Sequence, residues 1–311
     1  MKITVPEKPE FLTQLISPSD LAVELTHYHK HGLPKGDKTG WPPVDELYTV
    51  LRGQWTLITG VPNHGKSEWL DALMMNLAQA GWVFPIFSPE NQPHELHVAK
   101  LMEKFLRKPF GDGPNERITS DEMRAATAWM DYHFRFIKPH PELQVPNIQS
   151  VIEAAARFIN ENDQQANKVQ KYGIVIDPWS ELEHKRPSHQ SETEYISATL
   201  AYVRQFVREW NVHIFLVAHP RILHRDKDGK RPVPTPYDVS GSAHWYNKAD
   251  NCITVWRDTD PNVRTQEVKI YVQKVRFKNI GRIGEATLHY DLVTGRYHVP
   301  PRGHYSQVKE D

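Results

Sequence analysis

A phosphate-binding loop is indicated by the segment from Gly60 to Ser67, GVPNHGKS, which matches G-x-x-x-x-G-K-[ST] at every fixed position. Gly60 and Gly65 allow backbone N–H groups to curl around phosphate oxygens, and a helix starting at Ser67 would point its positive end at them. In this motif Lys66 reaches the β- and γ-phosphates, and the Ser67 hydroxyl is a ligand of Mg²⁺. The alternative is a chance Gly-rich turn, which would have to match all fixed positions and also lie between a strand and a helix.

A carboxylate that could hold the Mg²⁺ water shell ends the apolar run GIVID at 173–177. Ligands of parallel sheets bind outside the carboxyl ends of the strands, which is where Asp177 would lie. The alternative is an aspartate that only forms a turn before Pro178. The P-loop elsewhere in the chain favours the magnesium role.

Two more polar residues follow predicted strands. Glu90, in the sequence SPEN, could orient and activate a water that attacks a phosphate. Glu181 and Glu183 are secondary alternatives for that role. His219 ends the apolar run VHIFLVAH and would lie where it can sense a γ-phosphate. The competing interpretations are a solvated loop glutamate and a histidine that only satisfies a backbone group.

Cations cluster between His219 and Gly241, although the chain as a whole has a net charge of +0. They are Arg221, Arg225, Lys227, Lys230 and Arg231. Such a local basic loop could follow a nucleic-acid backbone, with an affinity that falls as salt rises. The alternative is a solvated loop without a ligand.

Two further cations, Lys274 and Arg276, alternate along the late strand that contains QKVRF and are predicted to share one face. At a strand tip they could reach the nucleotide of a neighbouring subunit as an arginine finger. The alternative is a solvated strand face.

The elements that must position these residues are strands alternating with helices, which imply a mostly parallel sheet covered by helices on both faces. The predicted helices are 17–31, 67–80, 119–132, 147–160 and 192–210. The predicted strands are 54–59, 82–88, 173–177, 212–219, 252–257, 267–275, 285–290 and 296–299. Pro85 argues against a central position for the second strand. The last four strands form an all-β part, and the final two flank 291–295 as an antiparallel hairpin.

Composition excludes several classes of protein. The chain has 311 residues with 38 Lys+Arg and 38 Asp+Glu, which excludes a nucleic-acid coat that works by bulk positive charge. Its single cysteine excludes a disulfide framework, and HELH at 94–97 is one residue short of the H-E-x-x-H zinc motif. No apolar run approaches about 18 residues, so no membrane partner is expected. An acidic N-terminus without an apolar segment predicts a cytoplasmic location.

Taken together, these motifs resemble those of the hexameric replicative DNA helicases with a RecA-like P-loop core, of the Twinkle, T7-type primase–helicase and DnaB types. GVPNHGKS, the glutamate of SPEN, GIVIDPW, LVAHPR, DVSGSAHWYNKADN and QKVRF carry the resemblance, in the family's order. The KNIGRIG turn after Arg276 departs from the family's pattern. The resemblance implies an ATP-dependent ring that moves along single-stranded DNA and unwinds duplex DNA.

The resemblance also implies roles for individual residues. The catalytic residues would be Lys66, Glu90 and His219, with Lys274 and Arg276 acting in the neighbouring subunit's site. The nucleotide would be bound by Gly60, Asn63, His64, Gly65, Lys66, Ser67, Glu68 and Asp177, with Arg257 and Tyr290 beside the base. Mg²⁺ would be held by Ser67 and Asp177. Single-stranded DNA would be held by Arg221, Arg225, Lys227, Lys230, Ser242 and Lys248.

The resemblance divides the chain into an N-terminal arm and linker helix (1–44), a RecA-like ATPase domain (45–300) and a tail (301–311). The expected cofactors are ATP and Mg²⁺. The expected partners are single-stranded DNA and further copies of the chain in a hexameric ring, with a primase and a DNA polymerase as further candidates. Two alternatives stay open: a RecA- or RadA-like recombination ATPase without unwinding activity, and a non-catalytic DNA-binding or scaffold protein. The presence of Glu90 and Arg276 counts against the second.

Overall fold

The computed structural model describes residues 15–139, 145–166, 170–223, 232–241, 243–258 and 266–301. The chain forms two compact units, residues 1–35 and residues 36–311. In the first unit, a capping box between Ser17 and Asp20 starts a 3-10 turn, which helix α1 (Ala22–His31) follows. The helix ends at Gly32, which has a φ of 84°. The helix predicted over 17–31 is therefore confirmed.

The second unit is built on a sheet that has the strand order β3-β2-β4-β5-β1-β6-β7-β8-β9 within the described residues. From β3 to β6 neighbouring strands are parallel, whereas β7, β8 and β9 are added antiparallel. This confirms the predicted sheet and its antiparallel C-terminal end. The strands are β1 (Gln54–Thr59), β2 (Trp82–Phe87), β3 (Phe134–Phe136), β4 (Lys171–Ile176), β5 (His213–Val217), β6 (Asn251–Trp256), β7 (Glu267–Val275), β8 (Gly284–Tyr290) and β9 (Tyr297–His298).

Helices cover both faces of the sheet, and each face has its own apolar core. On one face the core contains Trp69, Leu101 and Met130 from three helices, and on the other face it contains Ile152 and Val203 from two helices. No helix in the described part of the chain is long and apolar enough to cross a membrane. The helices are α2 (Pro42–Asp45), α3 (Lys66–Gln79), α4 (His94–Leu106), α5 (Ser120–His133), α6 (Ile148–Ala166), α7 (Glu192–Glu209) and α8 (His244–Lys248).

The expectation that Pro85 keeps β2 out of the sheet interior is wrong, because β2 lies between β3 and β4. The sheet accommodates the proline by a gap in pairing. β2 pairs with β4 through Trp82, Val83, Ile86 and Phe87, but not at Phe84 or Pro85. Because a proline has no N–H to donate to the ladder, the pairing of β2 with β4 is interrupted around Pro85. Pairing on both sides of this gap keeps the strand inside the sheet.

Residues 36–44 belong to the larger unit, where Trp41 and Val44 are buried in the core. The division of the chain after residue 44 stays a prediction. Helix α4 was not predicted. It contains the HELH sequence, in which His97 Nε2 lies 2.9 Å from Asp71 Oδ1. The described residues contain no group of three or more His, Cys, Asp and Glu side chains that could hold a metal ion.

Candidate nucleotide-binding site

The carboxyl ends of four neighbouring parallel strands meet at one edge of the sheet, and a cavity of about 710 Å³ opens beside that edge. The P-loop follows β1, the turn with Glu90 follows β2, Asp177 follows β4, and His219 comes two residues after β5. The cavity is lined by Pro62, Asn63, His64, Gly65, Lys66, Ser67, Glu68, Glu90, Asn91, Lys100, His219, Arg257, Val268, Tyr290 and Tyr297. The structure thus brings together the residues predicted from separate motifs.

The backbone of the P-loop needs glycine where it leaves β1 and where it enters α3. Gly60 has a φ of 148°, and a Cβ there would lie 2.3 Å from the carbonyl oxygen of Val255. Gly65, with a φ of 88°, is the N-cap of α3. Asn63 also has a positive φ, 66°. These conformations curl the loop so that the N-terminus of α3 faces the cavity, where an anion is favoured.

Lys66 is a buried cation between two acidic residues. Lys66 is only 5% exposed, and its Nζ donates a hydrogen bond to the carbonyl oxygen of Val61 at 3.2 Å. Burial lowers the pKa of Lys66, and the charges of Asp177 and Glu90 act in the opposite direction. A bound phosphate would add a further negative charge beside this buried ammonium group and so favour its charged form.

Asp177 has the properties of a ligand for a hard divalent cation. It is 3% exposed, and among the described residues its Oδ1 has no hydrogen-bond partner. The Ser67 hydroxyl donates a hydrogen bond to the carboxylate, but burial outweighs it and raises the pKa of Asp177 to about 6. A buried carboxylate oxygen without a partner, beside a serine hydroxyl, suits the oxygen coordination of Mg²⁺.

Glu90 and His219 face each other across the cavity mouth, with His219 Nε2 3.5 Å from Glu90 Oε1. The Glu90 side chain is 45% exposed, so it is accessible to water. Burial lowers the pKa of His219, and the nearby Lys66 charge lowers it further. A histidine ring beside a solvated carboxylate is able to hydrogen-bond a phosphate oxygen or a water molecule.

Two tyrosines and an arginine form the other side of the cavity. The Tyr290 hydroxyl donates to Glu68 Oε2 at 3.4 Å, and the ring centroids of Tyr290 and Tyr297 are 5.1 Å apart. The backbone N–H of Arg257 donates to His64 Nδ1 at 3.3 Å. Tyr297 was not predicted as a site residue. The predicted hairpin could have indicated it, because Tyr297 pairs with Tyr290 across the two strands.

Lys274 and Arg276 do not line this cavity. Arg276 Nε forms an ion pair of 2.5 Å with Asp250 Oδ1, and Asp250 accepts a hydrogen bond from the backbone of Trp55. Lys274 Nζ lies 4.7 Å from the ring centroid of Tyr246. Trp55 lies near the start of β1, whereas the P-loop follows the end of β1. Arg276, which Asp250 connects to Trp55, therefore lies near the opposite ends of the strands from the P-loop. The two cations are therefore not positioned to contact a nucleotide in the cavity of their own chain.

The predicted DNA-binding residues are only partly within the described residues. The Arg221 side chain is 69% exposed and lies 3.5 Å from Asp238. Lys248 is the last residue of α8. An antiparallel bridge between Pro220 and Val239 joins the two ends of the basic segment. Outside the described residues lie Arg225, Lys227, Lys230 and Ser242.

Comparison with known sequences gives one informative relative. No family model matches the chain. Over 291 residues, which are 91% of the chain, it is 39% identical to the Twinkle homolog protein, chloroplastic/mitochondrial, of Arabidopsis thaliana. The chain spans 38% of the length of that relative.

Solved structures share the fold of the chain. The ATPase domain of G40P has a TM-score of 0.73 at 17% identity, covering 92% of this chain and 99% of that one. A DnaB-like replicative helicase, described with its interactions with primase, has a TM-score of 0.73 at 15% identity, covering 92% and 69%. The RadB recombinase has a TM-score of 0.52 at 13% identity, covering 85% and 99%. The predicted RecA-like fold and the resemblance to Twinkle- and DnaB-type helicases are confirmed.

Proposed function

Because most of the chain is similar to one part of a Twinkle homolog and its fold is that of a DnaB-like helicase domain, we propose that it is an ATP-dependent replicative DNA helicase. It would move along single-stranded DNA as a ring of identical subunits and unwind duplex DNA. The observation that carries the proposal is the meeting of Lys66, Ser67, Glu90, Asp177 and His219 at one sheet edge.

In the proposed reaction ATP lies in the 710 Å³ cavity with its phosphates at the N-terminus of α3. Lys66 would bind the β- and γ-phosphates, and Ser67 and Asp177 would hold Mg²⁺, which would supply positive charge to neutralise the phosphates. Glu90 orients the attacking water and accepts its proton, and His219 contacts the γ-phosphate region. Tyr290, with Tyr297 behind it, provides an aromatic surface for the base.

The hexameric ring, with Lys274 and Arg276 reaching the adjacent nucleotide, is part of the same proposal. It is supported by the position of both cations away from the cavity of their own chain. The buried Asp250 anchors the Arg276 side chain, which is 27% exposed and so keeps some access to a neighbouring subunit. A primase and a DNA polymerase are proposed as further partners. The cytoplasmic location stays a prediction, and the name of the plant relative refers that protein to chloroplasts and mitochondria.

DNA contact is proposed for the basic segment that begins at Arg221, whose exposed guanidinium group is free to approach a phosphate backbone beside its contact with Asp238. This segment follows directly on His219, which lines the nucleotide cavity. Hydrolysis could therefore shift the DNA contacts through a connection of two residues.

The test is steady-state ATP hydrolysis by the wild type and Lys66→Ala, each with and without single-stranded DNA. We expect DNA to raise the wild-type rate several-fold and Lys66→Ala to abolish hydrolysis. A wild-type rate that DNA leaves unchanged would overturn the motor proposal. Helical filaments on DNA in electron micrographs, without closed rings, would favour a RadA-like recombination ATPase instead.

A further inference from the structure

The side chain of Lys100, on α4, connects the helix that begins at the P-loop with the turn that carries Glu90. Its Nζ forms an ion pair with Glu68 Oε1 in α3 and donates a hydrogen bond to Asn91 Oδ1 at 3.3 Å. Asn91 Nδ2 in turn donates to Ser88 Oγ at 2.8 Å. A continuous chain of polar contacts therefore spans the short turn from residue 88 to residue 91.

The electrostatic surroundings keep Lys100 charged and in place. Burial lowers the pKa of Lys100, but the carboxylates of Asp71 and Glu68 outweigh it and raise that pKa above its usual value. Asp71 Oδ2 lies 3.8 Å from Lys100 Nζ. The buried Lys104 binds the other oxygen of Glu68 at 2.7 Å, so Glu68 is itself a fixed anchor.

Among the described residues, the turn with Glu90 has few other polar contacts besides the hydrogen bond that the backbone N–H of Asn91 donates to the carbonyl oxygen of Ser88 at 3.2 Å. It is a 3-10 turn, Pro89–Asn91, whose N-cap residue makes no capping hydrogen bond through its side chain. The contact between Glu90 and His219 is long, at 3.5 Å, and the Glu90 side chain is 45% exposed. Asn91 is thus the point where the rest of the site can hold this turn.

We propose that Lys100 is a positioning residue for ATP hydrolysis, which fixes Asn91 and thereby holds the Glu90 carboxylate at its working distance from the γ-phosphate. The inference rests on the proposed function of the site. Misplacing a catalytic group by about 1 Å can cost roughly a hundredfold in rate, so a single positioning contact has a measurable effect on kcat. A purely structural role would instead lower thermal stability without changing kcat.

The experiment uses Lys100→Met, Asn91→Leu and the double variant, with ATPase measured at saturating single-stranded DNA. We expect each single variant to lower kcat about tenfold while KM changes less than about twofold, because Glu90 contributes to the transition state more than to binding. The double variant should be no slower than the slower single variant, since both act through one path. Lys100→Arg should restore most of kcat.

Lys108→Met is the matched control, because Lys108 forms ion pairs with Glu116 and Glu122, and none of these residues lines the nucleotide cavity. Its kcat should stay within about twofold of wild type, since the change leaves the contacts of Glu68 and Asn91 intact. Equal kcat values for Lys100→Met and Lys108→Met would overturn the inference, as would multiplicative effects in the double variant. The Glu90→Gln variant distinguishes a failure of this inference from a failure of the proposed function of the site. If it is inactive while Lys100→Met is normal, only the inference fails. If it hydrolyses ATP at the wild-type rate, the proposed base and the inference fail together.

Discussion

Replacing Asp177 with asparagine should make the nucleotide-free protein more stable at neutral pH, although the change removes a proposed magnesium ligand. The carboxyl group is buried, one of its oxygens lacks a partner among the described residues, and its pKa rises from 3.8 to about 6. Ionising this group in the folded state therefore costs stability, which an uncharged amide of the same shape avoids.

The sign and size of the effect follow from the pKa difference between folded and unfolded chain. Between pH 3.8 and about 6 the folded state keeps a proton that the unfolded state releases, so stability falls as pH rises through this window. At about 1.4 kcal/mol per pH unit, the complete loss above pH 6 is about 3 kcal/mol. At pH 5.0 only about half of this loss has occurred, so the other half remains to be lost at higher pH.

The assay is urea unfolding of wild type and Asp177→Asn at pH 5.0 and pH 7.5, without nucleotide or magnesium. The free energy of unfolding should favour the variant by roughly 1–2 kcal/mol more at pH 7.5 than at pH 5.0. Glu161→Gln, at an exposed position on α6, is the matched control and should show no such difference between the two pH values. A gain that is equal at both pH values, or a less stable variant at pH 7.5, would refute the reasoning.

Three other predictions follow from contacts around the site. Gly60→Ala should lower the free energy of unfolding by about 1–3 kcal/mol, because the added Cβ would lie 2.3 Å from the Val255 carbonyl oxygen. Gly111→Ala is the control and should not lower it, since nothing lies within 4 Å of a Cβ at that position. Equal unfolding temperatures of the two variants would contradict this prediction. Asp250→Ala should lower the free energy of unfolding, measured in urea, by about 2–3 kcal/mol because Arg276 loses its ion pair. A variant as stable as the wild type would contradict a stabilising role of that pair. Arg276→Ala and Lys66→Ala proteins, each inactive alone, should regain ATPase when mixed into common rings; continued inactivity of the mixture would refute a finger acting between subunits.

Local signals were sufficient for the residues at the strand ends and for every described strand except β3 (Phe134–Phe136). This strand was not predicted, because three residues are too few to show a period. A P-loop, a buried strand that ends in aspartate and a strand that ends in histidine each have a short sequence pattern, and a parallel sheet must bring such ends together. The capping box of Thr119 and Glu122 likewise predicted the start of α5, because its hydrogen bonds are local.

Long-range contacts could not be predicted in the same way. Lys100 and Lys104 lie on α4, which starts after Pro93 without a capping side chain, so the helix itself was missed. Their partner Glu68 is more than thirty residues away in the chain. The inward ion pair of Arg276 with Asp250 was also missed, since strand alternation cannot show the irregularity in the pairing of β6 with β7 beside Cys252.

The most direct measurement of the central claim is strand displacement from a forked DNA duplex by wild type and Glu90→Gln, with ATP and Mg²⁺. We expect the wild type to displace the strand only with ATP, and Glu90→Gln to bind nucleotide and DNA without displacing it. DNA-stimulated ATP hydrolysis by the wild type with no strand displacement at any protein concentration would contradict the assignment as a helicase.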